Sequence, residues 1–328
     1  MKKTIITGAT GFIGRQLIKR LLTNGENSLV LLSNTSNFTD KILSENKLAS
    51  EHIESYNVDI RKRKEIFEIF SYEKPSTCIH LAAKTSVADS MKNSTETMDV
   101  NVNGTISILD ACYNNQVNDF IFASSAAVYG DVTELPIKES STLAPISAYG
   151  TSKMLAEAQV LTYRKVKKIK NAIVLRIFNV YGEGQDPGAN VVAQFAQSLS
   201  KGLPPVIYGN GTQTRDFISV DDVVDGILLS TRIIKERNKH KIFLSSPIFN
   251  IGTGIPTSIK EVARKMIEIS QMDIYPIYKE EINGMKRISH SYADIRRAKQ
   301  VLGFAPKKSI DTGLTDLKSS ALISKKSE

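Results

Sequence analysis

Through the first 180 residues, short apolar runs alternate with amphipathic stretches, and this rhythm limits the possible folds more than any other feature of the chain. KTIIT is followed by FIGRQLIKRLLTNG, in which Ile13, Leu17 and Leu21 fall four apart before an Asn24-Gly25 stop. SLVLLS and IESYNVD read as strands, RKEIFEIFSYEK as a helix, STCIHLAA as a strand and ETMDVNVNGTISILDACYNN as one long helix. DFIFASS, AYGTSKMLAEAQVLTYRKV and NAIVLRIFNVYG continue as strand, helix, strand. Parallel neighbours cannot be joined by a tight turn, so each crossover needs a covering helix. The pattern predicts an α/β fold, a Rossmann-type doubly wound parallel sheet. Beyond residue 180 the rhythm is broken by GEGQDPG, KGLPPVIYGNGTQT and IGTGIPTS, which suits a smaller C-terminal substrate-binding domain. We therefore expect a dinucleotide-binding domain over 1–178 and a mainly substrate-binding domain over 179–328, with some segments returning to the main sheet.

The first strand runs directly into GATGFIG, with Gly8, Gly11 and Gly14 opening the first helix. Glycines there let the backbone turn tightly and approach a pyrophosphate, whose charge is received by the unpaired N–H groups of the helix N-terminus. A ribose-binding acid is expected at the end of the second strand, where this chain has Ser33 and Asn34. Both can hydrogen-bond a ribose hydroxyl, neither repels a 2′-phosphate, and Arg15 could attract one. NAD is the expected cofactor, with NADP left open. Asp59, in NVDI, can accept from an adenine amine or serve as a loop or cap aspartate.

Charge and composition narrow the function classes. The net charge of +9 is scattered over Lys2 and Lys3, RKRK at 61–64, RKVKKIK at 164–170 and the terminal lysine pairs, without interleaved aromatic residues. Such clusters read as solvated faces, and we expect no nucleic-acid binding. No apolar run reaches the roughly 18 residues of a membrane span, and glycines interrupt the N-terminus before a signal-peptide core can form. A cytoplasmic protein without membrane attachment is expected. Cys78 and Cys112 lie in apolar stretches and read as reduced, buried thiols. The four histidines are too dispersed for a local zinc pattern, and no metal is expected.

SAYGTSKMLAE places Tyr149 and Lys153 four apart, on one face of a helix. A phenol ionises near pH 10, so it becomes a useful base only beside a positive charge, which Lys153 supplies. Together they suit proton abstraction from an alcohol. An exposed i,i+4 pair would have the same spacing. FASSAAVYG weighs against that reading, because it ends a strand in Ser124 and Ser125 at the sheet edge where ligands bind, and a serine there can hold the reacting oxygen.

The ordered series TGATGFIG, NVDIR, IHLAA, NVNGT, SSAAVYG, YGTSK, LRIFNVYG, YGNGTQTRDFISVDDV, FNIGTG and SYADIRRAKQVLGFAP resembles the extended short-chain dehydrogenase/reductase family, in its nucleotide-sugar epimerase and dehydratase branch. The resemblance runs through nearly the whole chain. It implies Tyr149 as acid and base, Lys153 as its pKa-lowering and ribose-binding partner, and Ser125 as the hydroxyl positioner with Ser124 adjacent. It further implies Phe12 and Ile13 at the pyrophosphate turn, Asp59 and Ile60 by the adenine, Leu81, Ala82 and Ala83 along the cofactor, and Asn101 in the cofactor-side helix. Asn179 would touch the substrate phosphates and Arg215 would neutralise the pyrophosphate, a task suited to a permanently charged planar fork. The alternative for Arg215 is a surface ion pair with Asp216 or Asp222. A further phosphate-binding residue falls on Arg287 or Lys286. The family's usual acid after the second strand is absent here.

Dehydratases of this branch carry an Asp-Glu pair before VYG, and decarboxylases a glutamate. This chain has Ala126 and Ala127 there. Elimination then lacks its carboxylate base, which leaves epimerisation at carbon 4 of a UDP-linked hexose, by resemblance to the UDP-glucose 4-epimerase group. The alternatives are an NADP-dependent keto-sugar reductase and a non-catalytic dinucleotide-sensing protein. The long helices at 96–114 and 149–166 correspond to those that pair in relatives, and a homodimer is expected.

Overall fold

The computed structural model describes residues 2–26, 28–35, 53–166, 168–240, 246–280 and 288–319. In chain order, β1 (Thr4–Thr7), α1 (Phe12–Thr23), β2 (Leu29–Ser33), β3 (Ile53–Asn57), α2 (Arg63–Glu73), β4 (Thr77–His80), α3 (Val87–Lys92) and α4 (Ser94–Met98) come first. A π-turn, Asp99–Asn103, joins α4 to α5 (Gly104–Asn114). There follow β5 (Asp119–Ser125), a short 3-10 turn Ala126–Val128, α6 (Ala148–Lys165), β6 (Asn171–Ile177), β7 (Asn179–Tyr181), α7 (Val191–Ser200), β8 (Val206–Tyr208) and β9 (Thr214–Ser219). The chain closes with α8 (Val220–His240), β10 (Ile248–Ile251), β11 (Pro256–Ser258), α9 (Ile259–Ser270), β12 (Ile277–Lys279), β13 (His290–Ser291), α10 (Arg296–Leu302) and α11 (Ile310–Ser319).

The chain forms two compact units, and both are discontinuous in sequence. The first comprises 1–128, 145–176 and 226–249, the second 129–144, 177–225 and 250–328. The main sheet has the strand order β10-β6-β5-β4-β1-β2-β3. Its β3–β2, β2–β1, β1–β4 and β4–β5 pairs are parallel. The chain thus starts in the middle, winds outward to β3, and returns on the other side of β1, making the Rossmann-type sheet that the alternation predicts. Ligands of such sheets bind beyond the carboxyl ends of the strands, at the point where the winding reverses. One face of the sheet packs against α2, α5 and α6, and its core gathers Ile5, Val30, Phe70, Ile108, Phe120, Val160 and Val174.

In the second unit, β9 is the central strand, flanked by β11 and β13 and paired also with β7. Strands β8 and β12 form a separate parallel ribbon. Its core gathers Tyr181, Phe195, Leu199, Phe217, Val262, Met266 and Leu314.

Two sequence expectations are refined. The stretch expected as one long helix, Glu96 to Asn115, is helical to Asn114 but is interrupted by the π-turn, which widens one turn of it. NAIVLRIFNVYG divides at Phe178 into β6 and β7, because the two halves hydrogen-bond to different sheets. Among the described residues, no helix is long and apolar enough to cross a membrane.

Candidate active site

The glycine turn shows why its residues must be small. Gly8 has φ +69°, and a Cβ there would lie 2.7 Å from the Ala82 amide nitrogen. A Cβ on Gly14 would lie 2.3 Å from the Gly8 carbonyl oxygen. Helix α1 begins at Gly11 without a side-chain cap and has no acid in its first turn. Its leading N–H groups therefore meet no built-in negative charge, and the turn fits a dinucleotide pyrophosphate. Phe12 and Ile13 are half-buried in that first turn. Ser33 ends β2, and its hydroxyl lies 2.8 Å from that of Thr10 in the same turn, whereas Asn34 is exposed.

Asp59 follows β3. Its carboxylate accepts from the Arg61 amide at 2.9 Å and from the Arg61 guanidinium at 2.6 Å, which holds it below the usual carboxylate range. Ile60 is buried, and only the absence of a side chain at Gly104 leaves room for it. After β4, Leu81, Ala82 and Ala83 are half-buried. The Thr7 hydroxyl accepts from the Ala82 amide at 3.2 Å and lies 2.6 Å from His80 Nδ1, while His80 Nε2 lies 2.9 Å from the Thr105 hydroxyl. This buried histidine stacks on Phe122, and desolvation lowers its pKa to about 3, so it works as a neutral spacer between the two threonines. Asn101, in the π-turn, accepts from the Lys84 amide and donates to the Lys84 carbonyl and the Ser152 hydroxyl. Its carboxamide ties the segment after β4 to the helix that carries Tyr149.

That helix, α6, is fixed at its start by three contacts. Ser147 caps it by accepting from the Gly150 amide at 3.0 Å, and the Tyr149 amide donates to the Ser90 hydroxyl at 3.1 Å. Gly150 passes so close to the turn after β5 that a Cβ would lie 2.5 Å from the Ala127 carbonyl oxygen. The tight passage brings Tyr149 beside Ser125, at the carboxyl end of β5. Burial pushes the phenol above its ordinary value, and the neighbouring Ser125 hydroxyl opposes that shift. Lys153 is buried one turn on, with Nζ 4.5 Å from the Phe122 ring centroid. Desolvation lowers its pKa to about 7, against the pull of the Glu157 carboxylate. The sequence pairs a phenol with a permanent ammonium; in the folded protein both groups are moved by burial toward their neutral forms.

Beneath Lys153 lies a buried network to which the sequence alone assigns no role. Glu157 accepts from Ser124 Oγ at 2.8 Å and from Arg176 on β6 at 2.5 Å, with both charged side chains almost fully enclosed. Ser124 therefore faces this ion pair, while its neighbour Ser125 faces Tyr149. The signals are a glutamate four residues after Lys153 and an arginine inside an otherwise apolar strand, AIVLRIF.

The residues expected at the substrate phosphates lie in the second unit. Asn179 opens β7 and Arg215 sits on the neighbouring β9, where Asn179 is in register with Phe217. Arg215 Nη1 donates to the Thr214 carbonyl at 2.7 Å. The two carboxylates weighed as its ion-pair partners are engaged by backbone amides: Asp216 by Thr253, Gly254 and Ala293, and Asp222 by Lys307 and Lys308. Arg287 and Lys286 fall outside the described residues.

Residues 4–252 match the model of the NAD dependent epimerase/dehydratase family. A putative UDP-glucose 4-epimerase of Methanocaldococcus jannaschii is 33% identical, over 94% of this chain and 95% of that protein. The solved UDP-glucose 4-epimerase of Thermotoga maritima, with UDP-glucose, superposes with a TM-score of 0.85 at 30% identity, covering 97% of this chain and 98% of its own. That of Thermus thermophilus, in complex with NAD, has a TM-score of 0.83 at 26% identity, covering 97% and 98%.

Proposed function

The chain belongs to the NAD dependent epimerase/dehydratase family, and on that premise we propose that it is a nucleotide-sugar epimerase that inverts carbon 4 of a UDP-hexose with NAD bound. The observation that carries the chemistry is the placement of Tyr149 beside Ser125 at the carboxyl end of β5, with Lys153 buried one turn away. In this reading the Tyr149 oxygen takes the proton of the 4-hydroxyl and later returns it. Ser125 holds that hydroxyl, and Lys153 supplies the cation that makes a buried phenolate tolerable. When bound, NAD supplies the redox chemistry by accepting a hydride from carbon 4 and giving it back. The 4-keto sugar turns about its phosphate bonds between those two events, so the hexose must be held loosely and the nucleotide firmly. Asn179, Arg215 and Arg287 are assigned to the firm end. Gly8, Gly11, Gly14, Ser33, Asn34, Asp59 and the 81–83 segment are assigned to the dinucleotide. Ala126 and Ala127 offer no carboxylate for elimination, which supports epimerisation over dehydration.

The reading includes a homodimer, supported by the large apolar side chains exposed on α3 and α6: Val87, Met91 and Leu155. Sedimentation as a monomer at micromolar concentration would remove that part. It also includes residence in the cytoplasm, supported by Cys78 and Cys112, two buried free thiols that a reducing compartment preserves.

The test is incubation of the purified protein with UDP-glucose or UDP-galactose without added cofactor. Interconversion of the two, no net change in nicotinamide absorbance, and NAD released on denaturation are expected. Net oxidation of added NADPH with a keto-sugar would establish the reductase instead. Dinucleotide binding with turnover of no UDP-sugar would leave a binding protein.

A further inference from the structure

Asp216 stands beside Arg215 on the central strand of the second unit, yet the two side chains do different things. Successive residues of a strand point to opposite faces, so Asp216 is directed away from the face that carries Arg215. It is fully buried, whereas Arg215 is partly exposed. One carboxylate oxygen accepts from the Thr253 amide at 2.7 Å and the Thr253 hydroxyl at 2.6 Å. The other accepts from the Gly254 amide at 2.8 Å and the Ala293 amide at 3.1 Å. An ionised carboxylate has about four acceptor sites, and all four are used.

These bonds join three segments that are far apart in sequence. Arg215 is in register with Thr257 on β11 on one side and with Ser291 on β13 on the other. Thr253 and Gly254 belong to the turn that leads into β11, and Ala293 follows β13. Asp216 therefore pins both neighbours of β9 from behind, immediately next to Arg215. The sequence accommodates this at Gly252, where a Cβ would lie 2.5 Å from Asp216 Oδ2 and 2.9 Å from the Ala293 Cβ. Any side chain at 252 would displace the carboxylate.

We propose that Asp216, with Gly252 making room for it, is a positioning residue that holds β9 in the register and twist from which Arg215 grips the substrate pyrophosphate. The inference rests on the assignment of Arg215 to that pyrophosphate. The phosphates do not change during epimerisation at carbon 4, so their contacts bind ground state and transition state alike. Loosening them raises KM and leaves kcat nearly constant. A charged fork placed about 1 Å off its target loses much of its bidentate geometry.

The experiment measures KM and kcat for UDP-glucose, and the Kd of UDP by calorimetry, on the full chain. Asp216→Asn turns an acceptor into an amide donor facing the Gly254 and Ala293 N–H groups, and Gly252→Ala crowds the carboxylate without changing its charge. Each is expected to raise both KM and the UDP Kd about tenfold, with kcat within about threefold. Thr253→Val, which removes only the hydroxyl bond, should give a smaller rise of the same kind and keeps the test available if Asp216→Asn does not fold. Asp222→Asn disturbs a carboxylate held by backbone amides elsewhere in the unit and should leave UDP affinity unchanged. Arg215→Met separates the pyrophosphate assignment from the positioning role. If it leaves UDP binding intact, the pyrophosphate assignment fails. If it weakens UDP but Gly252→Ala and Thr253→Val do not, the positioning role of Asp216 is overturned. Full multiplication of the Asp216→Asn and Arg215→Met effects in the double variant would overturn it as well, since a residue acting through Arg215 has nothing to add once Arg215 is gone.

Discussion

Glu157 in the first unit and Asp216 in the second are both deeply buried carboxylates, and they are compensated by opposite means. Glu157 is met by a cation, Arg176, together with the Ser124 hydroxyl, whereas Asp216 is met by three backbone amides and a threonine hydroxyl. The difference matches the task of each region. The first unit keeps several charges close together around a phenol that must change its protonation state, and the second uses its buried charge as a fastener. Chemistry and binding should accordingly separate under mutation. The largest effect is expected for Tyr149→Phe, which removes the group that moves the proton. Loss of about 10²- to 10⁴-fold in kcat, with UDP affinity unchanged by calorimetry, would sharpen the division, and a comparable loss of UDP affinity would break it.

The next effect is on stability. Removing one partner of a buried ion pair leaves the other charged and unpaired, at a cost of about 3–5 kcal/mol. Arg176→Met should lower unfolding stability in denaturant by that order. Arg176→Met combined with Glu157→Leu should recover part of the loss, because neither member of the pair is then left facing the place of the other, although Lys153 also loses the pull of Glu157. If the single variant is as stable as the parent, Glu157 does not depend on Arg176, and the contrast with Asp216 loses its basis.

The rhythm of strands and helices, the glycine turn and the Tyr149–Lys153 pair were legible because each rests on short-range spacing. Gly8 and Gly14 meet atoms that the backbone itself brings near, and a tyrosine four residues before a lysine lies on the same helical face whatever surrounds it. The buried network under Lys153 was not legible, since Ser124, Glu157 and Arg176 lie on three elements that meet only when the sheet is assembled. Nor does spacing reveal that burial moves Lys153 down and Tyr149 up, which depends on what packs over them. Arg215 stood out by motif, but the role of Asp216 required knowing that Thr253 and Ala293 flank its strand. The single cut into 1–178 and 179–328 divides the chain by binding role, whereas the compact units interleave, because 129–144 and 226–249 each pack with the unit on the other side of that cut.

Individual buried groups of the two units should also answer pH with opposite signs. His80 is held neutral, its pKa lowered to about 3 by burial. The unfolded chain takes up that proton from about pH 6.5 downward, so the stability it contributes is present above 6.5 and is lost as the pH falls toward 3. Lys153 is lowered to about 7. Between pH 7 and 10.5 the folded state sheds a proton that the unfolded chain keeps, and stability rises across that window. Asp216 and Asp222 are raised by burial against the hydrogen bonds of their backbone partners, so the linkage of these two groups has the opposite sign, while Asp294, lowered by Arg296, has the same sign as His80. In thermal melts without added nucleotide, Lys153→Met should flatten the rise in stability between pH 7 and 10. A slope that survives the substitution would assign it to other groups.

The smallest effects concern the helix caps, where the two regions are alike in structure and should differ only in consequence. Ser147 caps α6 through the Gly150 amide at 3.0 Å, and Ser258 caps α9 through the Glu261 amide at 3.2 Å. Replacing either with alanine removes one acceptor from the first turn and should cost about 1 kcal/mol of stability. Ser147, however, caps the turn that contains Tyr149, and the contact of that tyrosine with Ser125 depends on where the turn begins. Ser258 caps a helix that carries no residue of the proposed chemistry. Equal losses in denaturant midpoint are therefore expected, together with a kcat several-fold lower for Ser147→Ala and unaltered for Ser258→Ala, since a misplacement of about 1 Å at a reacting group is enough to slow a reaction measurably. Equal kcat values in the two variants would mean that the Ser90 bond and the tight passage at Gly150 fix Tyr149 without help from the cap.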